Sequence, residues 1–144
     1  MWMSGVGRYA SCQVERSSPD VELIGPEPVE ARRAVAELAR RSALTDLQQH
    51  SLLGAVSEVV TNARVHGRPP VCLRGWRHRE GVLVTVTDGG DGPSDPEVGV
   101  RPMERDPGDG GLGLWLAHQL CDELSFGRVP DGFRVRLWSG TLDR

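Results

Sequence analysis

No run of about 20 apolar residues occurs anywhere in the 144-residue chain, which excludes a membrane-spanning helix of ordinary length. Nor does the N-terminus carry a basic stretch followed by an apolar one, so no secretory signal is expected and the chain is expected to be cytoplasmic, with no membrane partner. Cysteine is scarce. Cys12, Cys72 and Cys121 are odd in number and far apart, which excludes both a disulfide framework and a paired zinc motif. They read as reduced thiols, with Cys72 and Cys121 serving as small packing residues. An excess of positive charge is also missing: the net charge is -3 and the pI about 5.8, so direct nucleic-acid binding is not expected. The arginines that do gather, Arg32 and Arg33, Arg40 and Arg41, then Arg74, Arg77 and Arg79, are interspersed with acidic residues and read as solvated faces. Aromatic residues make up 5%, and Trp76, Trp115 and Trp138 fall where core or interface packing accounts for them better than base stacking. No internal repeat is present.

What remains has the balance of a soluble globular protein: 38% hydrophobic and 26% charged residues, with a mean hydropathy of -0.34. The length suits one domain. Residues 1–19 lack any apolar period and end in Ser17-Ser18-Pro19, so they read as a flexible leader or linker preceding a domain over 20–144. Val21 to Ile24 reads as a short strand. Pro26 and Pro28 then open a helix to about Arg41, whose Ala31, Val35, Leu38 and Ala39 recur at helical spacing. A second helix starts at Thr45-Asp46, where either side chain can cap, and runs to His66, with Gly67 and Pro69-Pro70 ending it.

Two alternating segments, Val71 to Arg77 and Val82 to Asp88, read as strands joined through Arg79-Glu80-Gly81. From Gly89 to Gly111 the chain is rich in Gly, Pro and Asp and longer than an ordinary connection. A third helix follows from Leu112 to about Asp122, with Leu112, Leu116 and Leu120 aligned. A final hairpin places strands over 124–128 and 133–138 around Pro130-Asp131-Gly132. Helices grouped against an antiparallel or mixed sheet predict an α+β fold, a two-layer sandwich with the helices on one face.

Three short segments carry chemistry. Glu58 and Asn62 stand four residues apart on one helix face, and His66 extends the line. Such residues are ordinary on a wet helix surface, and a histidine near a helix C-terminus can simply interact with the helix dipole. Asp88-Gly89-Gly90-Asp91-Gly92 follows a strand directly, which fixes a carboxylate at the strand end, able to accept from a purine amino group; the same letters also make a simple turn. Gly110-Gly111-Leu112-Gly113-Leu114 leads into a helix, where convergent backbone N–H groups suit phosphate. No Gly-Lys-Ser/Thr follows, so this is not the common phosphate loop, and no parallel crossover unit surrounds it, so it is not a dinucleotide fingerprint.

In order and context, Glu58-Val59-Val60-Thr61-Asn62-Ala63-Arg64-Val65-His66-Gly67, Asp88-Gly89-Gly90-Asp91-Gly92 and Gly110-Gly111-Leu112-Gly113-Leu114 resemble the N box and two glycine boxes of the GHKL ATPase/kinase superfamily. The resemblance covers most of 21–138. Ala55-Val56-Ser57-Glu58-Val59-Val60-Thr61-Asn62-Ala63 is especially similar to the bacterial anti-sigma-factor serine/threonine kinases. The resemblance implies the Bergerat-type ATP-binding fold. It further implies that Asn62 offers its amide oxygen to Mg²⁺, that Glu58 is general base toward the receiving hydroxyl, and that Asp88 binds the adenine amino group in a pocket shaped by Gly90 and Gly92. Gly110, Gly111 and Gly113, with Leu112 and Leu114, would form the lid over the phosphates of ATP.

The implied partners are an anti-sigma-factor antagonist as protein substrate and a sigma factor to sequester, with a homodimer common in that branch. One departure stands out: Gly108 to Leu114 contains no basic residue where the branch often has one. Arg64, Arg101 and Arg105, with His66 as a lesser contact, are the candidates to neutralise phosphate charge instead. The alternative is a nucleotide-gated regulatory binding module with little or no kinase activity. A third reading is the ATPase part of a larger machine.

Overall fold

A computed structural model describes residues 15–92 and 111–141, with backbone alone for 111–113. Its elements are β1 (Val21–Ile24), α1 (Pro28–Arg40), α2 (Asp46–His66), β2 (Cys72–His78), β3 (Gly81–Asp88), α3 (Gly111–Leu120), β4 (Glu123–Val129) and β5 (Gly132–Gly140). The five strands form one sheet in the order β1-β2-β3-β5-β4, and every neighbouring pair is antiparallel. The fold is therefore α+β in two layers, as the element order predicts, with the antiparallel alternative realised throughout.

Period-two alternation sorts the strands into two faces. Leu73, Val82, Val84, Val86, Leu124, Phe126, Phe133, Val135 and Leu137 join the helices in one apolar core. Trp76, Leu83 and Trp138 make a smaller cluster on the opposite face. Helix α1 buries the stripe seen in the sequence, Ala31, Val35, Leu38 and Ala39, and lies so close to β2 that a Cβ on Gly75 would stand 2.8 Å from Leu38 Cδ1.

Helix α2 begins with a reciprocal cap: Gln48 N–H donates to Thr45 Oγ1 at 3.0 Å and Thr45 N–H donates to Gln48 Oε1 at 3.0 Å. Its core face is Leu52, Ala55, Val56, Val59, Val60 and Ala63. Helix α3 runs antiparallel beside it. Leu120 near the end of α3 sits against Gly54, where a Cβ would be 3.2 Å away, and Gln48 Nε2 donates to Asp122 Oδ2 at 3.2 Å. The helix begins one residue earlier than expected, and it meets the core through Leu114 and Ala117, with Leu116 and Leu120 only half-buried.

The residues before β1 depart from expectation. Glu15 pairs with Arg134 Nη1 at 3.4 Å and Arg136 Nε at 3.0 Å, Trp76 Nε1–H donates to the Ser17 carbonyl at 2.8 Å, and Asp20 bonds to β2 through both its N–H and its carboxylate. Residues 15–19, read from the sequence as the end of a leader, are thus tied across the outer face of the sheet, because arginines and an indole N–H there require acceptors. Residues 1–14 lie outside the described residues.

Candidate nucleotide site

The site is assembled where α2 ends, β3 ends and α3 begins. Gly67 closes α2, its N–H donating to the Ala63 carbonyl at 3.1 Å. Asp88 closes β3 and is buried. The two ends are stitched together: Asp88 Oδ1 accepts from Arg68 N–H at 3.3 Å and from Gly90 N–H at 2.7 Å, while Gly89 N–H donates to the Arg68 carbonyl at 2.6 Å. Only glycine fits at 67, since a Cβ would run into the Asp88 carboxyl carbon and stand 2.6 Å from both Asp88 Oδ1 and the Ala63 carbonyl. Both bonds to the Asp88 side chain use Oδ1. Oδ2 accepts none among the described residues, so a buried carboxylate held rigid by backbone keeps one oxygen for a donor.

Glu58 and Asn62 occupy the flank of α2 that faces α3. At about 100° per residue, Glu58 is turned about 40° from Gly54, which touches Leu120, and Asn62 about 80°. Both are half-buried, and neither has a hydrogen-bond or ion-pair partner among the described residues. Gly111 lies nine residues before Leu120, as Ala63 lies nine after Gly54, so the antiparallel packing brings the start of α3 level with Asn62. Backbone N–H groups in the first turn of a helix have no intrahelical acceptor and carry partial positive charge. A carboxamide, a carboxylate and a helix start therefore share one flank of α2, the cleft side, and the end of α2 is joined to Asp88.

Several expected contributors stand elsewhere. Arg64 is about 200° round the helix from Asn62. Its guanidinium bonds the Pro26 carbonyl at 3.3 Å and Glu27 Oε1 at 2.7 Å at the β1–α1 corner. There it borders a hollow of about 440 Å³ with Ile24, Gly25, Ala63, Pro70 and Val71, away from the cleft. In this structure the corner supplies acceptors for the guanidinium, which is engaged there. The Leu114 side chain is fully buried in the core, so its contribution to a lid is limited to backbone. Gly111, Leu112 and Gly113 lie within the first turn of α3 rather than in a loop. His66 is exposed at the end of α2. Gly110, Arg101 and Arg105 fall outside the described residues.

Gly92 was expected to shape the pocket; Phe133 and Arg68 were not anticipated. Gly92 has a φ of 84°, a left-handed conformation that a side chain disfavours, and a Cβ there would stand 2.6 Å from Phe133 Cε1. Phe133 is paired in register with Asp88 and forms the wall behind Gly92. Arg68 serves through its backbone N–H. The sequence signal for these was weak: Gly67 reads as a helix stop, and a backbone donor has no residue type.

The chain matches the family model of the histidine kinase-like ATPase domain over residues 26–138. It belongs to that family. A comparison with curated proteins finds no match. The histidine kinase-like ATPase domain is an ATP-binding module, and the residues of the cleft suit that ligand: an acceptor oxygen for an exocyclic amine at one end and a helix N-terminus for phosphate nearer the middle. Among the described residues no group of three or more His, Cys, Asp or Glu is placed to hold a metal ion. Among the described residues no helix is long and apolar enough to cross a membrane.

Proposed function

We propose that this histidine kinase-like ATPase domain is a cytoplasmic serine/threonine protein kinase of the anti-sigma-factor type. Its substrate would be a hydroxyl of an anti-sigma-factor antagonist, and its regulatory target a sigma factor. The observation that carries the reading is the Glu58–Asn62 pair, half-buried, without a hydrogen-bond or ion-pair partner among the described residues and on the flank of α2 toward α3. Mg²⁺ would supply charge neutralisation between the phosphates, with the Asn62 amide oxygen as its protein ligand. Glu58 accepts the proton of the serine or threonine hydroxyl as that oxygen forms its bond to the γ-phosphorus. The bond from the γ-phosphorus to the bridging oxygen breaks, and ADP leaves. Phosphoryl transfer asks for positioning and charge stabilisation above all. Helix α2 holds base and metal ligand on one rigid element.

Incubation with γ-labelled ATP, magnesium and candidate antagonists tests the proposal. Label should move to a serine or threonine, and Glu58→Ala should abolish transfer while calorimetry still shows ATP binding. Undiminished transfer in Glu58→Ala would remove Glu58 as base.

A second reading draws support from two observations: no basic residue stands between Gly108 and Leu114, and Arg64 is engaged at Glu27. In that reading nucleotide binding gates a partner surface without efficient transfer. Partner titration with and without ATP separates the two, because gating requires a nucleotide-dependent affinity even where no label moves.

A further inference from the structure

The chain before β1 meets the sheet directly behind the nucleotide site. Glu15 bridges Arg134 and Arg136 on the outer face, and Arg136 is almost completely buried. Arg134 Nε–H in turn donates to Thr87 Oγ1 at 3.0 Å. Thr87 and Arg134 are partners in register, and the next pair along the same two strands is Asp88 and Phe133. In a pleated strand consecutive side chains leave opposite faces, so the pair held by Glu15 on the outside is backbone-continuous with the pair that shapes the cleft on the inside. The other end of the segment is pinned separately, through Ser17 to Trp76 and through Asp20 to Gly75 and Arg77.

We propose that residues 15–20 form a latch on the back of the sheet whose engagement, through Glu15, Arg134 and Thr87, sets the position of Asp88 and hence the affinity for nucleotide. The latch rests on the ATP-binding reading and adds a regulatory input to it: whatever pulls or occupies the chain before β1 alters the site from behind. Coupling of this kind is reciprocal, so nucleotide must tighten the latch by the factor by which the latch tightens nucleotide.

Calorimetry with ATP and magnesium on the full chain, on Glu15→Gln and on Glu22→Gln tests this. Glu22 provides the control because it too pairs with an arginine of the sheet, Arg74 at 2.7 Å, but makes no hydrogen bond or ion pair with Arg134. Glu15→Gln should weaken ATP binding by about fivefold, at the lower end of usual coupling, and Glu22→Gln should leave it unchanged. Hydrogen exchange of the unaltered chain should show the amides of Ser17, Ser18 and Asp20 slowed by ATP by the same factor, a readout independent of whether the variants fold. Unchanged affinity in Glu15→Gln, an equal loss in Glu22→Gln, or exchange at these amides indifferent to ATP would overturn the latch alone. Absence of ATP binding by the unaltered chain would overturn the nucleotide reading and the latch with it.

Discussion

Asp88 and Arg68 are joined across the ends of a strand and a helix by one hydrogen bond of 3.3 Å, from the Arg68 backbone N–H to Asp88 Oδ1. The bond exists because Gly67, between α2 and Arg68, leaves space for the carboxylate. Gly67→Ala should therefore act in two ways. Overpacking against Asp88 should cost about 1–3 kcal/mol of stability. Displacement of the carboxylate should weaken ATP binding by about tenfold, or about 1.4 kcal/mol. Thermal melts and calorimetry measure the two separately, and a stable variant that binds ATP normally would show that Asp88 does not depend on this contact.

Arg64 predicts the opposite outcome. Its side chain and that of Glu27 are 37% and 62% exposed, and pairs of that kind contribute at most about 1 kcal/mol. Arg64→Ala should melt almost as the parent does and bind ATP with the parent's affinity. A large loss of affinity would return Arg64 to the phosphates.

The cap of α2 can be removed without touching the cleft. Thr45→Ala deletes the acceptor for Gln48 N–H and should cost about 1 kcal/mol. ATP affinity should not change, since Thr45 stands at the far end of the helix from Asn62 and Gly67. Denaturant midpoints at fixed pH give the first quantity and calorimetry the second.

Cys121 gives stability a pH dependence. Burial, with the nearby Asp122 carboxylate adding to it, pushes the thiol up from 9.0 to about 12. Its Sγ–H donates to the Ala117 carbonyl at 3.3 Å and the Glu123 carbonyl at 3.2 Å. The folded chain thus keeps a proton that the unfolded chain releases, so the contribution is complete below about pH 9 and is lost as pH rises toward about 12. The slope reaches at most about 1.4 kcal/mol per pH unit. Denaturant titrations at pH 8 and pH 10 should show a larger loss in the parent than in Cys121→Ala, where Cys72, whose thiol is also pushed up by burial, still contributes. Equal losses would assign the dependence to other groups.

Much of this molecule was legible before any coordinates. The stripe Ala31, Val35, Leu38 and Ala39 has helical period, Thr45 has the chemistry of a cap, and the alternating residues of β2 and β3 announce strands, because in each case neighbours in sequence determine the outcome. The family was legible for the same reason: the segments around Glu58, Asn62 and Asp88 are recognisable local motifs, and the family match spans them. What depended on distant partners was not legible. Arg64 follows Asn62 by two residues, but its direction was fixed by Pro26 and Glu27 across the β1–α1 corner. Leu114 looked like part of a lid and became core because α3 starts within the glycines. Glu15 carried no signal at all, since its value lies in two arginines more than a hundred residues away in the chain.

The uninterrupted run of α2 from Glu58 to His66, with Gly67 closing it, works as a gauge block between the two ends of the cleft. Nine residues at about 1.5 Å each set a spacing of about 13.5 Å between Glu58 and the contact with Asp88. Length and phase are locked together in such a gauge: one residue more between Glu58 and Gly67 would lengthen it by about 1.5 Å and turn Glu58 by about 100° away from α3. The separation of Glu58 from Asp88 is therefore written into the residue count of a single helix, and only a change on the α3 side could alter the site without altering that count.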